Sequence, residues 1–141
     1  MAISTYQKLF VQNNGTYEER LTSYEEDGYK LKFPEYDIWR LIYSDIFEDL
    51  KKMDKDKLLN LSFILNAVPC GEGENEYLES SFVKSQMITL IQIIADYLQN
   101  NQLSENDKKT LDYAKADAEN MLKLCEFAEG KNMFIMIGLD A

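Results

Sequence analysis

The sequence predicts an all-α, or nearly all-α, single domain over residues 1–141: a bundle of about six helices, with room for one minor two-stranded element. Three observations predict it. Apolar residues recur at three- and four-residue spacing in segment after segment. Two of those segments open with Ser or Thr followed three residues later by Gln or Glu, the pattern of a capping box. Both prolines fall at segment boundaries, where helices start or stop. A chain of 141 residues, 45% of them apolar, can bury about two-thirds of the surface its unfolded form exposes. No internal repeat or low-complexity tract divides it.

The elements follow in order. Ser4 with Gln7 opens a helix that carries Tyr6, Leu9 and Phe10, and Asn13-Asn14-Gly15 ends it. Thr16 with Glu19 opens a second, with Tyr17, Leu21 and Tyr24 on one stripe; Glu25-Glu26-Asp27 and Gly28 close it. Acids in a last turn oppose the helix dipole, so that trio is placed against helix energetics. Tyr29, Leu31 and Phe33 alternate with lysines in a strand-like pattern. Pro34 suits the first turn of the next helix, whose apolar face is Trp39, Ile42, Tyr43, Ile46 and Leu50. Asp54 or Asp56 then caps a helix bearing Leu58, Leu61, Leu65 and Val68, and Pro69 stops it. The loop 69–75 is the clearest break in the chain. Residues Glu76–Gln99 form the longest helix, apolar nearly all round in its second half and therefore central. Ser104 with Asp107 opens the last long helix, striped by Leu111, Ala114, Ala118, Met121, Leu122, Cys125 and Ala128, with Gly130 as its C-terminal stop. The tail Met133–Ile137 is apolar and β-permissive, suited either to pairing with residues 29–33 or to covering the core.

Composition narrows the chemistry. The chain holds 25 Asp and Glu against 15 Lys and Arg, a net charge of −10, and no histidine. Nucleic acid and anionic membrane both demand cationic surfaces, so neither is expected as a partner. Absent histidine removes the commonest general acid/base and the commonest metal ligand. The N-terminal residues lack a basic stretch leading into an apolar one, and no apolar run approaches the roughly 20 residues that span a membrane. A cytoplasmic protein is the expectation.

Candidate catalytic groups fare poorly. Cys70 lies in a Gly-rich loop, but its neighbours Glu72 and Glu74 would raise a thiol pKa, and no histidine exists to lower it. Cys125 falls on an apolar helix face and reads as a small core residue. Asp54 and Asp56 resemble a metal-binding pair, yet an EF-hand started at Asp54 has Leu59 where glycine belongs. Neither a GxGxxG nor a phosphate-binding GxxxxGK[ST] motif occurs. The expectation is a binding protein, not an enzyme, with no cofactor and no metal.

Charge placement says more. Residues 58–107 contain seven acids and a single base, Lys84. One cluster is Glu72, Glu74, Glu76, Tyr77 and Glu79; another is Glu25, Glu26, Asp27 and Tyr29, followed by Tyr36 and Asp37. Tyrosine brings large contact area at little rotamer cost, and carboxylates around it suit a basic partner. These eleven residues are the expected partner-binding site. Size, charge and helical architecture, carried by Glu25-Glu26-Asp27, Tyr36-Asp37 and the Glu72–Glu79 run, make the chain resemble immunity proteins of bacterial contact-dependent growth inhibition systems. That resemblance implies a partner, a basic toxin domain of the nuclease type, whose substrate groove an acidic, tyrosine-rich surface blocks. The alternative is an acidic nucleic-acid mimic or adaptor that binds a host nucleic-acid-binding protein. A third class, a carboxylate enzyme using a divalent ion, needs four or more carboxylates converging in one concave site.

Overall fold

A computed structural model describes residues 4–13, 16–19, 25–26, 29–30, 37–61, 77–129 and 133–140 of the chain, with side chains for 38, 40–61 and 79–129. In chain order the elements are β1 (Ser4–Asn13), β2 (Thr16–Glu19), β3 (Glu25–Glu26), β4 (Tyr29–Lys30), α1 (Asp37–Ile42), α2 (Ile46–Met53), β5 (Tyr77–Glu79), α3 (Ser80–Asn100), α4 (Glu105–Ala128) and β6 (Met133–Asp140). Residues 37–61 and 80–129 are mostly helical and contain no strand. This is the expected helical core, built among the described residues from four helices.

Long α3 and α4 lie against each other, with α1 on α4 and α2 on α3. Their joint core is one cluster, in which Leu41, Leu50, Val83, Met87, Leu90, Ile94, Leu111, Ala114, Ala118 and Cys125 are fully enclosed. The stripe expected on α4 is buried there except for Leu122, which is half-buried, and Ser104 caps the helix by accepting the Asp107 N–H at 3.2 Å. That one bond satisfies a donor that the first turn otherwise leaves open. Cys125 is buried as its helix position implies, and burial pushes its thiol up to about 12. A thiol so raised stays protonated through neutral pH and is a poor nucleophile. Alkylation of the native protein at pH 8, mapped by mass spectrometry, is therefore expected to leave Cys125 unmodified, with full labelling only after denaturation. Native labelling of Cys125 on the timescale of a free thiol would show that the α4 face opens.

The structure departs from the expected all-α bundle at both ends of the chain. Of the segments read as the first two helices, residues 4–13 and 16–19 are instead strands β1 and β2, joined with β6 and β5 in an antiparallel sheet of order β2-β1-β6-β5, while residues 20–24 of the second lie outside the described residues. Tertiary pairing decides this: β6 offers eight residues of β-permissive edge, and β1 pairs along that whole length. The tail thus forms a strand, but its partners are β1 and β5, not residues 29–33. A second, two-stranded sheet joins β3 to β4, with Glu25 opposite Lys30 and Glu26 opposite Tyr29. Glu25-Glu26 accordingly does not end a helix, and the argument from an opposed dipole does not apply to it. Asp27-Gly28, the dipeptide favoured in two-residue hairpin loops, is the sequence signal for this pairing.

Three further corrections concern helices. The helix expected after Pro34 is broken into α1 and α2 at residues 43–45, where Ser44 turns back on Leu41: both its N–H, at 2.9 Å, and its hydroxyl, at 2.6 Å, donate to the Leu41 carbonyl. Tyr43 leaves the apolar face at this turn and is 66% exposed. The helix expected to begin near Asp54 is not helical through residue 61, and Leu58 is 64% exposed; residues 62–68 of that helix lie outside the described residues. The helix expected to be the longest begins at Ser80 rather than Glu76, because residues 77–79 pair with β6, and its 21 residues make it shorter than α4 with 24. Helix α3 is not enclosed all round either: Phe82 and Ile88 are exposed, as are Gln92, Ala95 and Asp96 in its second half, while Val83, Gln86, Met87, Leu90, Ile93 and Ile94 are buried.

Residues 54–57 form a turn closed by the Lys57 N–H to the Asp54 carbonyl at 3.2 Å, and Lys57 has φ 52. A Cβ in this left-handed region costs of order 1 kcal/mol, which glycine avoids. Lys57→Gly is expected to raise stability by about 0.5 kcal/mol, the relief being offset in part by the looser unfolded chain. Lys57→Val is expected to lower it by about 1 kcal/mol or more, because β-branching crowds that conformation. Urea unfolding checks both; a lower midpoint for the glycine variant would contradict the strain.

Candidate functional site

The described part of the expected site centres on the junction of β5 and α3. Tyr77 and Glu79 are two apart on an edge strand, so alternation puts them on one face, with Leu78 on the other. Their register partners on β6 are Met136 for Tyr77 and Phe134 for Glu79. Glu79 also occupies the N-cap position of α3 with extended backbone (φ −64, ψ 135), and its side chain is exposed and makes no capping hydrogen bond. No acid occupies the first turn of α3. The carboxylate is therefore not spent on the helix end in the way a capping Asp would be, and stays accessible to a partner.

Of the other expected residues, Glu25, Glu26 and Tyr29 come together as neighbours in the β3–β4 pair. Asp37 is the first residue of α1. Asp27, Tyr36, Glu72, Glu74 and Glu76 lie outside the described residues. Among the strands, pairing aligns residues that the sequence reading kept apart. Phe134 is opposite Glu79 on one side and Phe10 on the other, and Phe10 is opposite Glu19. Glu19, Phe10 and Phe134 were missed because residues 4–24 read as helices, which hides which residues share a strand face. The apolar run Met133–Ile137 was the available signal.

Elsewhere several polar groups of the described residues are held by the structure. Asp117 on α4 is 5% exposed, and its Oδ2 accepts the backbone N–H of Ile38 at 3.3 Å, tying the start of α1 to α4. Gln86, equally enclosed, donates from Nε2 to the Leu58 carbonyl at 2.7 Å and accepts the Asn60 N–H at Oε1. Asp54 Oδ2 accepts the Leu59 N–H at 2.6 Å. An open groove of about 340 Å³ is lined by Glu48, Lys51, Lys52, Asp54, Lys57 and Leu59. Lys51 there bridges to Glu48 at 2.9 Å and lies 5.4 Å from the Phe47 ring centre, so its charge is partly occupied. Tyr97 donates to Asp49 Oδ2 at 3.4 Å, and burial, aided by that carboxylate, holds its phenol above its ordinary pKa. Lys84 meets Glu129 at 2.8 Å, a hydrogen-bonded ion pair that raises the ammonium pKa.

Among the described residues, no group of three or more Cys, Asp and Glu side chains is arranged to hold a metal ion, and no helix is long and apolar enough to cross a membrane. What the site offers chemically is acceptor-only carboxylates beside aromatic positions, an arrangement for receiving cations. No family model matches the chain, and neither the curated proteins nor the solved structures contain a match to it.

Proposed function

We propose that the protein is an immunity protein, acting in the cytoplasm by binding rather than catalysis. Its partner is a basic toxin domain of the nuclease type, as in contact-dependent growth inhibition. The acidic, tyrosine-rich surface seats in the toxin's substrate groove, carboxylates taking the place of phosphates and tyrosines supplying packed contact. The observation that carries this reading is a net charge of −10 joined to an exposed, uncapped Glu79 beside Tyr77 on a sheet edge. Surface carboxylates not consumed by local structure steer a cationic partner, and steering raises association toward roughly 10⁸–10⁹ M⁻¹s⁻¹ at low salt.

Co-expression with the product of the adjacent open reading frame tests this. A basic protein toxic on its own is expected to be neutralised and to co-purify at low salt. Reversing Glu72, Glu74, Glu76 and Glu79 to lysine is expected to slow association by about tenfold or more, with helix content intact. No basic partner retained at low salt would remove the reading. A partner that proves to be a host DNA- or RNA-binding protein would favour the acidic mimic or adaptor instead.

A further inference from the structure

Register defines two unlike faces of the four-stranded sheet. One face is mainly aliphatic, carrying Leu9 aligned with Ile135 and Leu78, Val11 with Met133, and Ile137 and Leu139 beyond them, with Gln7, Thr5 and Glu18 at their register positions opposite Ile137, Leu139 and Val11. The other carries a row that crosses all four strands: Glu19 on β2, Phe10 on β1, Phe134 on β6 and Glu79 on β5. With strands about 4.8 Å apart, the row places two phenylalanine positions at its centre and a carboxylate position at each end, about 14 Å apart. A second row on the same face aligns Lys8, Met136 and Tyr77. Tyr6 and Tyr17 belong to this face too, by alternation.

We infer that this face, centred on the row Glu19–Phe10–Phe134–Glu79, is the surface that meets the partner, and that its occupant is an arginine-rich protein surface. The inference rests on the reading of the protein as a binder of a basic partner. An antiparallel sheet set against helices has one face suited to the core and one to solvent. Both α3 and α4 approach β6, and the aliphatic face is the one suited to them. The row combines an aromatic centre with a charged rim, the composition of an interface hot spot. Its chemistry selects the occupant. Guanidinium stacks on aromatic faces and forks onto carboxylates, whereas lysine offers a compact charge that does neither as well. A nucleic acid would set phosphates against the carboxylates at both ends. A second copy of this chain would set glutamate against glutamate.

The experiment titrates fluorescein-labelled octa-arginine and octa-lysine onto the full chain at low salt, read by fluorescence anisotropy. Octa-arginine is expected to bind about threefold or more tighter than octa-lysine. Glu19→Lys with Glu79→Lys is expected to weaken octa-arginine about tenfold or more, while the equally charged Asp112→Lys with Glu126→Lys on α4 changes it less than about threefold. Phe10→Leu with Phe134→Leu keeps every charge and is expected to erase the arginine preference. Far-UV circular dichroism establishes that each variant is folded, and the phenylalanine pair keeps the test decisive should the lysine pair unfold. Equal weakening by both charge-reversal pairs, or an arginine preference that survives the phenylalanine pair, overturns this face while the basic-partner reading stands. Failure of the wild-type chain to bind either peptide overturns both.

Discussion

Leu90→Ala is expected to destabilise the protein by about 2–5 kcal/mol, lowering its melting temperature by about 6–15 °C. Leu90 sits near the middle of α3 and is fully enclosed in the cluster to which α1, α2, α3 and α4 all contribute. Truncation there loses both the transfer free energy of the removed carbons and the packing around the cavity left behind. The surroundings are rigid helices, so the site collapses poorly and the cost belongs in the upper half of that range. Tyr113→Ala on the exposed side of α4 serves as the control, at about 0.5 kcal/mol or less, since Tyr113 is 51% exposed. Domains of this kind have about 5–15 kcal/mol of stability in total, so Leu90→Ala removes a substantial fraction of it. A loss below about 1 kcal/mol would mean that α3 and α4 do not share one packed core. Thermal and urea unfolding, with the midpoint and slope compared between variants, separate that outcome from a change in cooperativity.

The contrast between these positions was legible in the sequence where helices carry their own instructions. On α4 the Ser104–Asp107 cap and the small-residue stripe are both local signals, and both appear where they were read. Tyr43 was read wrongly for a definite reason: periodicity extends one helix through residues 43–45, but the Ser44 hydroxyl competes for the Leu41 carbonyl and ends it. Residues 4–13 show a different limit. Their spacing fits a helix, and only β6, more than a hundred residues away, decides that they pair as a strand. Non-local pairing leaves little trace in a local pattern, and an error of period changes which residues share a face. For the same reason Tyr77 and Glu79 were found as neighbours in sequence, whereas their alignment with Phe134, Phe10 and Glu19 was not. The missing histidine and the net charge needed no fold to be read, and the proposal of binding over catalysis rests on them.

Gln86→Glu is expected to be among the most damaging single-atom changes available, and its damage is expected to depend on pH. The wild-type amide both donates and accepts: Nε2 gives a hydrogen bond to the Leu58 carbonyl at 2.7 Å, and Oε1 takes one from the Asn60 N–H. Gln86 is 5% exposed, so neither group has water as a substitute. An ionised glutamate keeps the acceptor for Asn60 but sets a second oxygen, with negative charge, against the Leu58 carbonyl. Repulsion, desolvation and the orphaned carbonyl together are expected to cost about 3 kcal/mol at pH 7. Those terms raise the variant carboxyl above its unfolded value near 4.3. The folded state then binds the proton more tightly than the unfolded state, so the penalty is full above the raised pKa and fades as pH falls towards 4. Once protonated, the acid donates to Leu58 much as the amide does. The gap in melting temperature between wild type and Gln86→Glu is thus expected to narrow steadily from pH 7 to pH 4. Gln86→Leu, which loses both bonds and cannot titrate, is expected to show a gap that does not change with pH. A pH-independent gap for the glutamate variant would show that the segment 58–60 lets go of α3 and hydrates instead, leaving the carboxylate in water.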